Sequence, residues 1–304
     1  MSLARSVEAT APCRLELIGG TIGPATRGPA RLAIALDRRV FCWIEPIEGG
    51  VEIHSKDSLR RMAVPEQALI LDATGTMGRV ARALAAAGRR SGVRIATHEK
   101  VPADAGLGTG AALSVALAAA LEPDLPEAEV MGRAGAAESA LGESAAESDL
   151  RAAFFGGAHA LVLEAGVASV KRLAADPARL EECLMLVDPG PAPARVQEIE
   201  ADPAVAKDLV AALEAGSYED VAGLLTALHR DRFAPASPEV RRIVEAVSAA
   251  GGAAWPCGRL LAVWAVPGPR AAGPREAVLA ALKGAGARSF PARVDIRGLE
   301  MEEV

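Results

Sequence analysis

Between Pro102 and Ala112 the chain reads PADAGLGTGAA, a glycine-rich turn between a short polar strand end and an alanine-rich helical stretch. Gly106 and Gly108 permit positive φ and a close backbone approach. The amides that follow would point out of the helix start toward an anion, and a phosphate suits such a turn. No lysine follows in the spacing GxxxxGK[ST], so this is not a Walker loop. A GLG turn taken alone is equally a plain strand–turn–helix connection. Two carboxylates come next, Glu138 and Asp149. Their spacing is about three turns if the helix is continuous, although Gly142 interrupts it. One carboxylate beside a bound nucleotide can hold Mg2+ through oxygen. Another can take or orient the proton of an attacking hydroxyl. With Glu143 and Glu147 beside them they also read as an acidic, solvated helix face, and the residue pattern leaves both readings open.

Composition narrows the classes. At 304 residues the chain can bury the core of one large or two ordinary domains. Aromatics are only 3%, so that core must be built from Leu, Val, Ile and Ala. The net charge is −6, and basic residues run no longer than pairs such as Arg38-Arg39 and Arg241-Arg242. A nucleic-acid groove needs a denser basic patch, so no nucleic-acid partner is expected. The longest apolar stretch, Ala111–Leu121, falls well short of the roughly 18 residues that cross a bilayer. No basic, apolar-cored leader opens the sequence. The expectation is a cytoplasmic protein with no membrane partner. The cysteines (Cys13, Cys42, Cys183, Cys257) and histidines (His54, His98, His159, His229) are too scattered for a zinc site, and the cysteines read as buried free thiols.

The elements that must position the turn and the carboxylates follow from periodicity. Strands are expected at Cys13–Ile18, Val40–Ile44, Val51–His54, Val93–Thr97 and Ala158–Leu163. Helices are expected at Met77–Ala87, Gly106–Leu121 and Glu127–Leu141, with Ser144 as an N-cap and Gly156-Gly157 as a stop. A second half begins near Asp176. There Leu184–Val187 is strand-like, and Pro203–Ala215, Tyr218–Leu228 and Pro238–Ala249 have helical spacing. The chain then closes with a strand at Leu260–Val266, a helix at Pro274–Lys283 and a last strand at Arg293–Ile296. Strands and helices mix without regular alternation, which predicts an α+β fold over a doubly wound one.

Several ordered segments resemble one family. Ala11–Thr21 (APCRLELIGGT) is similar to the opening APxR…GGT segment of the heptose-kinase and galactokinase-like branch of the GHMP kinases, and Ala33–Arg39 to the AID-R stretch after it. Pro102–Ala111 is similar to the PxxxGLGSSA phosphate loop, Asp149–Gly157 (DLRAAFFGG) to the family's KQDQYAAAFGG, and Phe290–Glu300 to the heptose-kinase tail. The resemblance implies a two-domain GHMP kinase fold of class α+β. Its N-terminal domain, residues 1–175, has a fold shared with a small-ribosomal-subunit protein. A ferredoxin-like domain takes up residues 176–304, with the cleft between the two. It implies ATP and Mg2+ as cofactors and a nucleotide and a small molecule, a sugar or sugar phosphate, as partners. Gly106, Leu107, Gly108, Thr109, Gly110 and Ala111 would cradle phosphates, Arg259 would reach them from the third motif, and Glu138 and Thr109 would hold the metal. Asp149 would be the base, with Arg14 beside it.

The sequence departs from that pattern in four places. The second serine of GLGSS is Gly110, which has no hydroxyl for a metal. The sugar-binding Asp after GGT is missing, with Gly23 near its place. The KQD stretch reads Glu147-Ser148-Asp149, and the third glycine motif reads Trp255-Pro256-Cys257-Gly258-Arg259. Two functions fit: an ATP-dependent kinase of small-molecule hydroxyls, or a catalytically inactive protein of the same fold with a binding or regulatory role. Neither the acceptor nor the oligomeric state can be read from the residues.

Overall fold

The computed structural model describes residues 5–19, 28–66, 73–102, 104–141, 147–164, 167–190, 201–230, 236–268 and 273–304. Gly23, Gly142, Glu143 and Ser144 lie outside them.

The first half forms β1 (Val7–Ile18), β2 (Gly28–Pro46), β3 (Val51–Ser55), β4 (Arg60–Val64), α1 (Gly75–Ala86), β5 (Val93–His98), α2 (Thr109–Leu121), α3 (Glu127–Ala140), α4 (Glu147–Phe155), β6 (Ala158–Glu164) and β7 (Val167–Arg172). The second half forms α5 (Pro177–Cys183), β8 (Leu184–Asp188), α6 (Pro203–Ala215), α7 (Tyr218–His229), α8 (Pro238–Ala249), β9 (Ala253–Cys257), β10 (Leu260–Trp264), α9 (Pro274–Gly284), β11 (Arg288–Pro291) and β12 (Glu300–Glu303).

One sheet runs β12-β1-β2-β5-β3-β4, with β6 and β7 added along the first part of β2. The long strand β2 makes this layout work: Gly28–Ile34 pairs with β6, and Phe41–Pro46 pairs with β5. Along β1, Val7, Ala9, Ala11, Cys13, Leu15 and Leu17 are buried at a spacing of two, the mark of a strand with one face on the core. Helix α2 lies against that face. Every residue from Ala111 to Leu121 is buried, with α1, α3 and α4 packed around it. A helix apolar on all sides can sit only inside such a stack, and its alanines let the neighbours come close. The start of α2 is therefore held rigidly against the sheet.

The second sheet is antiparallel in the order β11-β8-β10-β9. With α8 between β8 and β9, and α9 between β10 and β11, this is the ferredoxin-like arrangement. Residues of β8 alternate: Met185 and Val187 face a small core with Val240, Ile243, Val278 and Leu282. Leu184 and Leu186 face the large core shared with α6, α7 and the first sheet. Two side chains stitch the layers together: the Trp255 indole donates to the Glu16 carbonyl at 2.7 Å, and His229 Nε2 lies 2.8 Å from the Leu17 carbonyl. The fold is thus of the α+β class expected.

Two expectations are corrected. Helix α2 begins at Thr109, not Gly106, because Gly106 and Gly108 take φ of 74° and 65° and cannot continue a right-handed helix. The segment Arg293–Ile296 makes only one bridge, Leu36 to Val294. The last strand is Glu300–Glu303, which returns to pair with β1 in the first sheet, so the C-terminus crosses back over the chain's midpoint. Its mainly charged sequence hides it from a hydrophobic pattern. Among the described residues no helix is long and apolar enough to cross a membrane.

Candidate active site at the mouth of a buried helix

The glycine turn, the first turn of α2 and the starts of α1 and α4 enclose a cavity of about 290 Å3. Gly106 to Ala111 form its floor, and Arg14, Arg79, Glu138 and Asp149 its walls. Nine of the ten expected site residues converge here. Arg259 does not: its side chain is exposed, and only its backbone amide touches the turn, donating to the Asp104 carbonyl at 2.7 Å. The turn between β9 and β10 nevertheless rests on the glycine turn. A Cβ on Gly106 would lie 2.5 Å from the Cys257 carbonyl carbon and closer still to the Gly258 amide.

Arg14 organises one wall. Its strand position on β1 aims it under the turn, where Nη2 donates to Asp149 Oδ2 at 2.9 Å and Nη1 to the Gly106 carbonyl at 3.1 Å. The Arg14 amide donates to the Leu107 carbonyl at 2.8 Å, so backbone and side chain both fasten the turn. Burial works against the guanidinium's charge, but Asp149 and Glu16 outweigh it and hold its pKa above the usual arginine value. Gly108 has to be glycine here twice over: its φ is 65°, and a Cβ would lie 2.9 Å from Arg14 Cγ.

Asp149 sits in the first turn of α4, 4% exposed, on the cavity wall. Its Oδ1 is buried and has no hydrogen-bond partner among the described residues, and neither has the fully buried Ser148 hydroxyl beside it. A buried carboxylate oxygen without a donor is costly, so this one is poised for a guest that can donate. It is not the solvated face that was the alternative reading.

The opposite wall is different from expectation. Glu138 on α3 accepts from Arg79 Nε at 2.8 Å and Nη2 at 3.4 Å, and from the Ser114 hydroxyl on α2. Arg79, on α1, lies flat along Gly110: a Cβ there would be 2.7 Å from its Cζ and 2.9 Å from its Nε. Arg79 was not singled out from the sequence. Its partner is far along the chain, and nothing in the local pattern of α1 marks it.

These residues do not fit a Mg2+ ion. Such an ion needs several oxygen ligands near 2.0–2.1 Å. Here the carboxylate is already paired, Gly110 has no oxygen to offer from its side chain, and a guanidinium lies against it. A divalent ion beside Glu138 would also have to sit against the Arg79 guanidinium, which repels it. Among the described residues no group of three or more His, Cys, Asp or Glu is arranged to hold a metal. Thr109 lines the same cavity as Glu138.

A model of the GHMP kinases N terminal domain matches residues 75–157, a span that includes α1, the glycine turn and Asp149. The whole chain is similar in fold to three solved structures. One is a D-glycero-D-manno-heptose 1-phosphate kinase from Bacteriodes thetaiotaomicron, at 22% identity, covering 98% of this chain and 99% of that one, with a TM-score of 0.76. Another is a putative sugar kinase from Campylobacter jejuni, at 18% identity and full coverage of both chains, with a TM-score of 0.75. The third is a galactokinase from Lactococcus lactis complexed with galactose, at 14% identity, covering 99% and 96%, with a TM-score of 0.72. No curated protein matches the chain. The family model thus matches residues 75–157, and the chain as a whole shares the fold of these three solved structures.

Proposed function

We propose that this chain transfers the γ-phosphoryl group of ATP to a hydroxyl of a small molecule of the sugar or sugar-phosphate class. The observation that carries this reading is Asp149: it lines the cavity floored by the glycine turn, is fastened by Arg14 through Oδ2, and keeps a buried Oδ1 with no hydrogen-bond partner among the described residues. The amides from Gly108 to Ala111 would receive the phosphates. The acceptor hydroxyl would donate to Asp149 Oδ1. As the new bond from the acceptor oxygen to phosphorus forms and the bond to ADP breaks, the hydroxyl proton would pass to Asp149. Arg14 would keep Oδ2 in place, so that the reacting oxygen needs no reorientation. The similarity to a heptose 1-phosphate kinase and a galactokinase supports the acceptor class.

The test is ADP release with ATP and a panel of sugars and sugar phosphates, with the phosphorylated product identified by mass. Turnover with one acceptor class is expected, and Asp149→Asn should lower it by about 100-fold or more while ATP affinity changes little. Full turnover in that variant would remove Asp149 from the chemistry.

A second reading, a binding protein without turnover, is favoured by one observation: Glu138 is committed to Arg79. ATP binding with no ADP release across the whole panel would select it. A ligand at 100 times its dissociation constant should then stabilise the fold by about 2.7 kcal/mol.

A further inference from the structure

We infer that Arg79 stands in for the divalent cation at this site, so that a phosphoryl group on the glycine turn is neutralised by a guanidinium and binds without Mg2+. The inference rests on the proposed phosphate-binding reading of the turn. Three features of this chain's own residues carry it. First, the Arg79 guanidinium lies against Gly110, in the first turn of α2, which lines the cavity. Second, a side chain at position 110 and Arg79 in its present place exclude each other, so this placement of the arginine goes with a glycine at 110. Third, Glu138, itself accepting from the Ser114 hydroxyl, holds Arg79, which fixes a planar, permanently charged group at the turn. With Arg14 on the facing wall, two guanidinium groups flank the amides. Guanidinium groups suit phosphate oxygens because they present donors in a rigid fork.

The experiment is calorimetric titration of ATP into the intact chain, once with EDTA and once with excess Mg2+. The affinity is expected to agree within about twofold between the two conditions. Arg79→Gln should weaken binding in EDTA at least tenfold, and Arg79→Lys, which keeps the charge without the fork, by less. If Mg2+ tightens binding to the natural chain more than tenfold, or if Arg79→Gln binds in EDTA as the natural chain does, the inference is overturned and the kinase reading stands. If ATP binds under neither condition, the phosphate-site reading falls, and this inference with it. Should Arg79→Gln fail to fold, because Glu138 is left unpaired, the EDTA and Mg2+ comparison on the natural chain still decides.

Discussion

Three side chains set the chemistry of the cavity, and they differ in how readable they were. Asp149 and Arg14 stand out by type and by their places in ordered motifs, whereas Arg79 becomes visible only when α1, α2 and α3 are stacked, because its partners come from other elements. The buried thiols give a prediction at this scale. Cys257 lies against the glycine turn, its Sγ 3.4 Å from the Gly106 carbonyl. Burial pushes its pKa from 9.0 up to about 12 and that of Cys183 to about 11, and it raises Cys13 and Cys42 as well. Below pH 9 these thiols are protonated in both folded and unfolded chains, so their burial contributes fully. Above it only the unfolded chain ionises, and stability falls by up to about 1.4 kcal/mol per pH unit for each thiol until the folded value is reached. Denaturant midpoints should therefore drop steadily from pH 9 to pH 10.5, and a flat profile would contradict the burial. None of the four should react with a thiol reagent at pH 8 before unfolding, since all are buried and free.

At the scale of elements, the site depends on a contact between the two halves of the chain: the β9–β10 turn resting on the glycine turn. Arg259 donates its amide to Asp104, and Gly258 sits against Gly106 with almost no space between them. Both glycines have positive φ, 55° at Gly258 and 74° at Gly106. Gly258→Ala should thus cost about 1–2 kcal/mol for the left-handed conformation alone, and more for the clash. Its signature would be a lower melting temperature, by about 2–4 °C per kcal/mol for a domain of 150–250 residues, together with weakened ATP binding. Lowered stability with unchanged binding would show that the contact supports the fold and not the site. Strongly periodic elements such as β1 and α8 were legible from the sequence, as was the start of α8 at Pro238. The edge strands β4, β7 and β12 were not. They are exposed and charged, and their pairing partners decide their structure more than their own pattern does.

For the molecule as a whole, the two layers share one core, and the C-terminal segment straps them together. Arg39 on β2 reaches across to it, forming a buried pair with Asp295 and donating to the Gly298 carbonyl and to Thr10 on β1. Asp295 in turn accepts from the amides of Arg297 and Gly298 at 2.8 and 2.9 Å. Removing one partner of a buried pair is worth about 3–5 kcal/mol. Asp295→Ala should therefore destabilise the whole chain by that amount in a denaturant melt, and a loss below 1 kcal/mol would show that the strap is not part of the cooperative unit. The sequence pointed to the two-part architecture through its second run of helices and strands. It did not show that β12 returns to the first sheet, a long-range pairing that no local pattern records.

The central claim is that the amides opening α2 hold the phosphates of a nucleotide, with Asp149 facing them. A crystal structure with ATP bound tests it most directly. The account predicts phosphate density over Gly108 to Ala111, with the terminal phosphate on the side of Asp149 and no metal between it and Glu138. Phosphates lodged instead in the separate cavity of about 500 Å3 beside His229 and Arg241 would contradict it.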